Sequence, residues 1–296
     1  YKMDRINFLR WTGGKYRVLG ILYPLFPGYE EYYEPFLGSG AVLINKPRAY
    51  REVANDLDRE LYILHKVMAD KASEEELLKR LRALGENEAV FKEALETLEE
   101  YKECVSLTRE DEIRIAMSKY VSVSLSFNGT GRNFSSSGKL RVAGYEGTFK
   151  FDTICDRYQG VKFRNMDGVE LMEEAKDHSN AFVFADPPYV QRLRGNKNIY
   201  KCEMGDEAQI RMLETIKNAA CKIMLCGYAD ENGDSLYDEY LFPYGWKRYK
   251  LADLTQACER VEKGKERKAG KEFIWVNYTL PECAKYFIAL NSQKCA

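Results

Sequence analysis

The 296-residue sequence has only two histidines, His65 and His178, and no Cys-x-x-Cys pair among its eight scattered cysteines. Zinc sites need clustered thiolates or imidazoles, so no structural metal is expected. Irregular cysteines in a chain of this size suit a reducing cytoplasm better than a disulfide framework. No run of about 18 apolar residues occurs, so no membrane-spanning helix is expected. The first residues, Tyr1-Lys2-Met3-Asp4-Arg5, lack the apolar centre of a signal peptide, and a cytoplasmic location is expected. With histidine so scarce, carboxylates, lysines and tyrosines are left to do the chemistry. Net charge is nearly absent too, at −1, and by itself argues neither for nor against a nucleic-acid partner.

The distribution of charge says more. Ile113 to Lys150 holds six basic residues and one acid; Val190 to Cys202 holds four basic residues and no acid; Arg260 to Lys271 holds six against two. Brought together, these would form one basic face; left apart, they are solvated loops.

The apolar run Ala181-Phe182-Val183-Phe184-Ala185 leads into Asp186-Pro187-Pro188-Tyr189. Five continuous apolar residues read as a buried parallel strand. Two prolines cannot donate to a ladder and restrain the residues before them, so the backbone after the strand is stiff. A carboxylate, a rigid turn and an exposed aromatic ring are therefore expected at the carboxyl edge of a sheet, where open α/β folds bind ligands.

Upstream, Phe8-Leu9-Arg10-Trp11-Thr12-Gly13-Gly14-Lys15 is a glycine turn followed by a lysine, suited to an anionic group. Tyr32-Tyr33-Glu34-Pro35-Phe36-Leu37-Gly38-Ser39-Gly40 is an aromatic strand entering a small-residue loop ahead of a helix. It is neither Gly-x-Gly-x-x-Gly nor a P-loop, which argues against a nucleotide kinase. Glu52-Val53-Ala54-Asn55-Asp56 reads as a second strand ending in an acid, placed either to accept ribose hydroxyls or to cap the next helix. Leucine spacing then predicts a run of helices to about Leu125, an inserted subdomain. A Gly-, Ser-, Asn- and Arg-rich hairpin or loop follows over 127–147. The sheet pattern resumes with Val161–Asp167, 181–185, Cys221–Gly227 and a closing antiparallel pair, Trp246–Leu251 with Phe273–Tyr278. Together these pieces ask for a nucleoside-bearing amino acid such as S-adenosylmethionine beside a planar second substrate.

In order and content the motifs resemble those of Dam-like DNA adenine-N6 methyltransferases, the α group of the D12 class. The resemblance spans nearly the whole chain. It implies an α/β, class I Rossmann-like methyltransferase with a seven-stranded mixed sheet and an inserted helical target-recognition subdomain. Residues 1–56 and 151–296 would form the catalytic domain and 57–150 the insertion. Asp186-Pro187-Pro188-Tyr189 is similar to the family's catalytic motif, with a flipped adenine stacked on Tyr189 and its N6 hydrogens on Asp186 and the Pro187 carbonyl. S-adenosylmethionine would contact Trp11, Gly14, Lys15, Glu34, Pro35, Phe36, Gly38, Ser39, Gly40, Asp56, Met166, Asp167 and Asp186. Double-stranded DNA would meet Arg10, Asn128, Gly129, Arg132, Lys139, Arg141, Arg192 and Arg194. A cognate restriction endonuclease is a candidate partner; no membrane and no metal are implied. Glu272-Phe273-Ile274-Trp275-Val276-Asn277-Tyr278 resembles the closing strand. After Arg132 the chain departs from the hairpin of GATC-methylating members, with Asn133-Phe134-Ser135-Ser136-Ser137-Gly138, so the recognition sequence stays open. N4-cytosine methylation, RNA as substrate and a non-catalytic DNA-binding role are the alternatives.

Overall fold

Five consecutive apolar residues can be buried only with a strand on either side and a covering layer on each face. Ala181–Ala185 is placed in that way, with all five residues at 1 % exposure or less. The computed structural model describes residues 5–141, 151–189, 204–229, 235–255 and 269–284. The strands are β1 (Glu31–Glu34), β2 (Arg51–Asn55), β3 (Lys162–Arg164), β4 (Ala181–Ala185), β5 (Lys222–Tyr228), β6 (Lys247–Thr255) and β7 (Ala269–Val276). They form one mixed sheet in the order β3-β2-β1-β4-β5-β7-β6. Strand β1 runs parallel to β2 and β4, and β4 parallel to β5. The pair β7 and β6 closes the edge antiparallel, as the sequence predicted.

The described residues pack as two units, the first from 1–16, 38–48 and 56–165 and the second from 17–37, 49–55 and 166–296. In the second, alternation along the strands sends Tyr33, Val183, Leu225 and Trp275 to one face of the sheet, where they join α8 (Gly168–Ala175) and α9 (Asp206–Ile216). The alternate residues meet Phe26, whose ring lies 4.7 Å from Phe182 and 5.8 Å from Phe184. Each such buried ring contributes about 1.5–3 kcal/mol.

The first unit is helical. Its helices include α3 (Arg59–Ala69), α4 (Lys71–Ala83), α5 (Glu88–Glu100), α6 (Arg109–Ser124) and α7 (Phe151–Tyr158). Side-chain caps start four of them: Asp58, Asp70, Asn87 and a Thr108–Asp111 capping box. Each cap is worth about 1 kcal/mol. Helix α6 buries Lys119, whose ammonium bonds Asp58 at 2.6 Å and Glu60 at 3.2 Å.

Candidate active site

Beyond Ala185 the chain cannot continue in the sheet, and Asp186 to Tyr189 forms the corner foreseen from its prolines. The Pro188 carbonyl accepts a 2.7 Å bond from Gln209 Nε2, and Gln209 Oε1 accepts from the Tyr237 hydroxyl at 2.7 Å. Gln209 is fully buried on α9, so the turn is held by side chains as well as by its own stiffness. The ring of Tyr189 corrects the expectation of an exposed aromatic: it is only 6 % exposed. Its ring centroid lies 4.4 Å from that of Tyr228 in a T-shaped pair, and its hydroxyl lies 2.9 Å from Asp186 Oδ1 and 2.5 Å from Glu272 Oε1. Burial first, then the neighbouring Asp186 and Glu272 charges, hold this phenol well above its ordinary range, so it stays a neutral donor.

Other predicted residues of the same unit lie at the ends of β1, β2 and the segment before α8. Glu34 is buried and accepts from the Tyr32 hydroxyl at 2.7 Å. Asn55 is a clamp: its amide donates to the carbonyls of Pro35 (2.9 Å) and Met166 (3.0 Å), and its Oδ1 accepts from Met166 N–H. Asp167 caps α8 through Val169 N–H at 2.8 Å and pairs with Arg211. Gly168 permits the Phe36 ring to approach, since a β-carbon there would stand 2.6 Å from it.

In the first unit two glycine loops meet. Gly13 and Gly14 turn tightly on the Trp11 carbonyl (3.2 Å), and Lys15 is buried with its ammonium 3.1 Å from the Gly13 carbonyl. Gly38 and Gly40 have φ of 53° and 68°, left-handed values that side chains resist. A β-carbon on Gly38 would lie 3.1 Å from the Trp11 indole, and one on Gly14 would lie 3.4 Å from the Ser39 hydroxyl. The structure thus brings Trp11, Gly14, Gly38 and Ser39 together. The helix after the loop, α2 (Ala41–Asn45), has five residues, too short for a strong dipole, so bare backbone is the loop's main resource.

Beneath this loop lies His65, fully buried. A carbonyl only accepts, so Nε2–H donates to the Gly38 carbonyl (2.8 Å), and Nδ1 accepts from the Tyr158 hydroxyl (2.8 Å). Burial pushes the imidazole down to about 4, keeping it neutral in this role. The structure answers one half of the question at Asp56, which is that it is not the cap. Asp58 caps α3, while Asp56 accepts from the N–H groups of Gly38 (2.8 Å) and Asp58 (2.9 Å). Burial and the Asp58 charge raise Asp56 to about 6.

With this geometry in place, the chain can be compared with known proteins. Residues 11–251 match the family described as D12 class N6 adenine-specific DNA methyltransferase. The chain belongs to that family. It is 25 % identical over 256 residues to the Type II methyltransferase M1.LlaDCHI of Lactococcus lactis subsp. cremoris, covering 81 % of this chain and 87 % of the relative. It is also 25 % identical over 256 residues to the Type II methyltransferase M.MjaIII of Methanocaldococcus jannaschii, covering 75 % and 84 %. It is accordingly an adenine-specific DNA methyltransferase, and no helix among its described residues is long and apolar enough to cross a membrane.

Of the methyltransferase's predicted DNA contacts, Arg10, Arg132, Lys139 and Arg141 are exposed. Arg10 stands beside the 127–129 turn: Gly129, at φ 71°, packs on the Arg10 carbonyl, and Asn128 O accepts from the Thr12 hydroxyl at 2.6 Å. Lys139 is paired with Glu86 at 2.8 Å. Arg192 and Arg194 lie outside the described residues, as does most of the 260–271 basic stretch. Sequence reasoning gave no place at the site to Gln209, His65 or Gly168, and put Glu272 only at the head of the closing strand. For two of these a signal existed, because Gln209 and His65 each interrupt an apolar helical stripe: Gln209, Met212, Leu213, Ile216, and Leu61, Leu64, His65, Met68.

Proposed function

We propose that this methyltransferase transfers a methyl group from S-adenosylmethionine to N6 of an adenine extruded from duplex DNA, at one short recognition sequence. The observation that carries the reading is the pinned corner: a carboxylate and a fixed turn at the carboxyl end of β4 match what an exocyclic amino group requires. Two N–H bonds, to Asp186 and to the Pro187 carbonyl, oppose conjugation of the N6 lone pair with the ring and aim it for in-line displacement. Positioning of this kind is worth up to about 7–11 kcal/mol. No strong base is needed, because the N6 proton becomes acidic once the methyl has arrived. Extrusion costs a few kcal/mol, offset in part by roughly 1–3 kcal/mol of stacking on Tyr189. Tyr189 is buried here, so base entry requires its neighbours to expose a ring face.

The donor fits the residues present. The glycine loops leave bare backbone where side chains would collide, and each Asp56 oxygen keeps a lone pair beyond its N–H bond. When bound, S-adenosylmethionine supplies a methyl on a sulfonium. Trp11, Gly14, Lys15, Phe36, Gly38, Ser39 and Gly40 would hold its methionyl part, with Glu34 and Pro35 supporting the loop. Asp56 would accept the ribose hydroxyls, and Met166 and Asp167 would border its adenine. Residues 57–150 would read DNA, and a cognate endonuclease fits relatives named Type II methyltransferases.

The reading is tested by incubation with methyl-labelled donor and mixed-sequence duplex DNA, then digestion and site sequencing. Label in N6-methyladenosine at one short sequence is expected; label in N4-methylcytosine, or on RNA alone, would overturn the base or the substrate.

A pH dependence arises from Asp56. With its carboxyl raised from 3.8 to about 6, the fold favours neutral Asp56, a contribution complete below about pH 4 and lost as pH rises through about 6. Ribose hydroxyls instead favour the carboxylate. Donor affinity is therefore expected to fall as pH drops below about 6, by up to tenfold per unit, and Asp56→Asn should flatten the profile. Calorimetry from pH 5 to 8 reads both.

Arg132→Ala is expected to lower discrimination by about 1–3 kcal/mol if its guanidinium reads a base edge. Equal weakening on cognate and random duplexes, with a shallower salt slope, would make it a phosphate contact.

A further inference from the structure

Glu272 stands at a place where packing alone would select an apolar residue. It opens the run Phe273-Ile274-Trp275-Val276, lies opposite Tyr228 in the β5–β7 register and is 1 % exposed. Burying a carboxylate is costly unless its bonds repay the desolvation, and a hydrophobic residue of similar size would fill the site at lower cost. Its Oε1 accepts a 2.5 Å bond from the Tyr189 hydroxyl, on the catalytic corner.

We propose that Glu272 is a positioning residue for methyl transfer: it holds Tyr189 by the hydroxyl, so that the ring and Asp186 keep one fixed relation. A phenol ring pivots about its stem and is fixed only when a second point is held. The Tyr228 contact at 4.4 Å restrains the ring, and Glu272 restrains its far end. A phenol has one proton and two carboxylates within reach, at 2.5 Å and 2.9 Å. The shorter bond directs it toward Glu272, which leaves Asp186 as an acceptor for the target amino group. A hydrogen bond to a charged acceptor is about twice as strong as a neutral one, enough to hold a ring against which a base must stack. This rests on the reading of Asp186 and Tyr189 as the base-holding corner.

The test is a double-mutant cycle in the full-length protein, with Glu272→Ala and Glu272→Gln each in the wild-type and Tyr189→Phe backgrounds. Three quantities are read: single-turnover methyl transfer to adenine in duplex DNA, fluorescence of 2-aminopurine at the target position, and donor affinity. Glu272→Ala is expected to slow transfer roughly ten- to a hundredfold and to alter the 2-aminopurine signal while leaving donor affinity unchanged. Glu272→Gln, whose amide oxygen accepts the same bond, should recover to within about threefold of wild type. In the Tyr189→Phe background neither change should cost more. A glutamine as slow as alanine, or losses that multiply with Tyr189→Phe, overturns the inference. If Glu272→Ala does not fold, the glutamine arm and Tyr189→Phe decide it by the same criterion. A wild type that leaves adenine unmethylated removes the reading of the corner itself, which is a different result from an active enzyme in which positions 272 and 189 are uncoupled.

Discussion

Asp186→Ala is expected to abolish methyl transfer, lowering the single-turnover rate by at least about a hundred- to a thousandfold, the scale seen when one preorganised transition-state hydrogen bond is deleted. The loss is in the rate and not in the fold. Asp186 is partly exposed at the end of β4, and the strand is buried between β1 and β5 whichever residue occupies position 186. Removing the carboxylate leaves the Tyr189 hydroxyl its shorter bond, to Glu272. Donor binding should therefore persist, and calorimetry beside a radiolabel transfer assay separates the two quantities. Asp186→Asn keeps the shape and one acceptor oxygen, so its residual rate should lie between wild type and alanine. Near-normal turnover in the alanine variant would falsify the role given to Asp186.

The second large effect is expected at Gly40. Its φ of 68° already strains an alanine, at a cost of roughly 1–2 kcal/mol. The added β-carbon would also stand 2.7 Å from the Tyr158 hydroxyl and 3.1 Å from His65. Neither neighbour can yield cheaply, because Tyr158 donates to His65 and His65 donates to the Gly38 carbonyl. Moving either therefore moves the loop proposed to hold the donor. Gly40→Ala should weaken donor binding by about ten- to a hundredfold, the equivalent of about 1.4–2.8 kcal/mol, and destabilise the protein. Binding calorimetry and thermal melting check the two effects. A variant that melts early but binds normally would remove the loop from the donor site.

Much of the architecture was legible because its signals are local. A five-residue apolar run with a double proline can end only one way, and Asn87 after Gly85 is a helix start by composition. The residues that hold the site were less legible, because their partners lie far away in the chain. Gln209 secures Pro188 from 21 residues on, and Glu272 reaches Tyr189 across 83. Asp56 and Asp58 stand two positions apart, and nothing in their order says which one caps α3. Tyr189 reads as exposed because a ring after Pro-Pro has no visible cover until β5 and β7 bring Tyr228 and Glu272 beside it. Arg10 and Gly129, far apart in the chain, are neighbours through contacts that no periodicity encodes.

The Asn55 clamp has a consequence for how this chain can vary. Its side chain joins the residue where β2 ends to Met166, where the chain re-enters the sheet-bearing unit, and both backbone groups of Met166 are held. Departure and return are thus stapled at a single amide. A stretch whose two roots are tied together can lengthen, shorten or be exchanged without dragging on the strands. The part of this stretch free to change is the one between α3, which carries His65, and α7, which carries Tyr158, because β3, Asp56 and the His65–Tyr158 support under the Gly38 loop lie outside it.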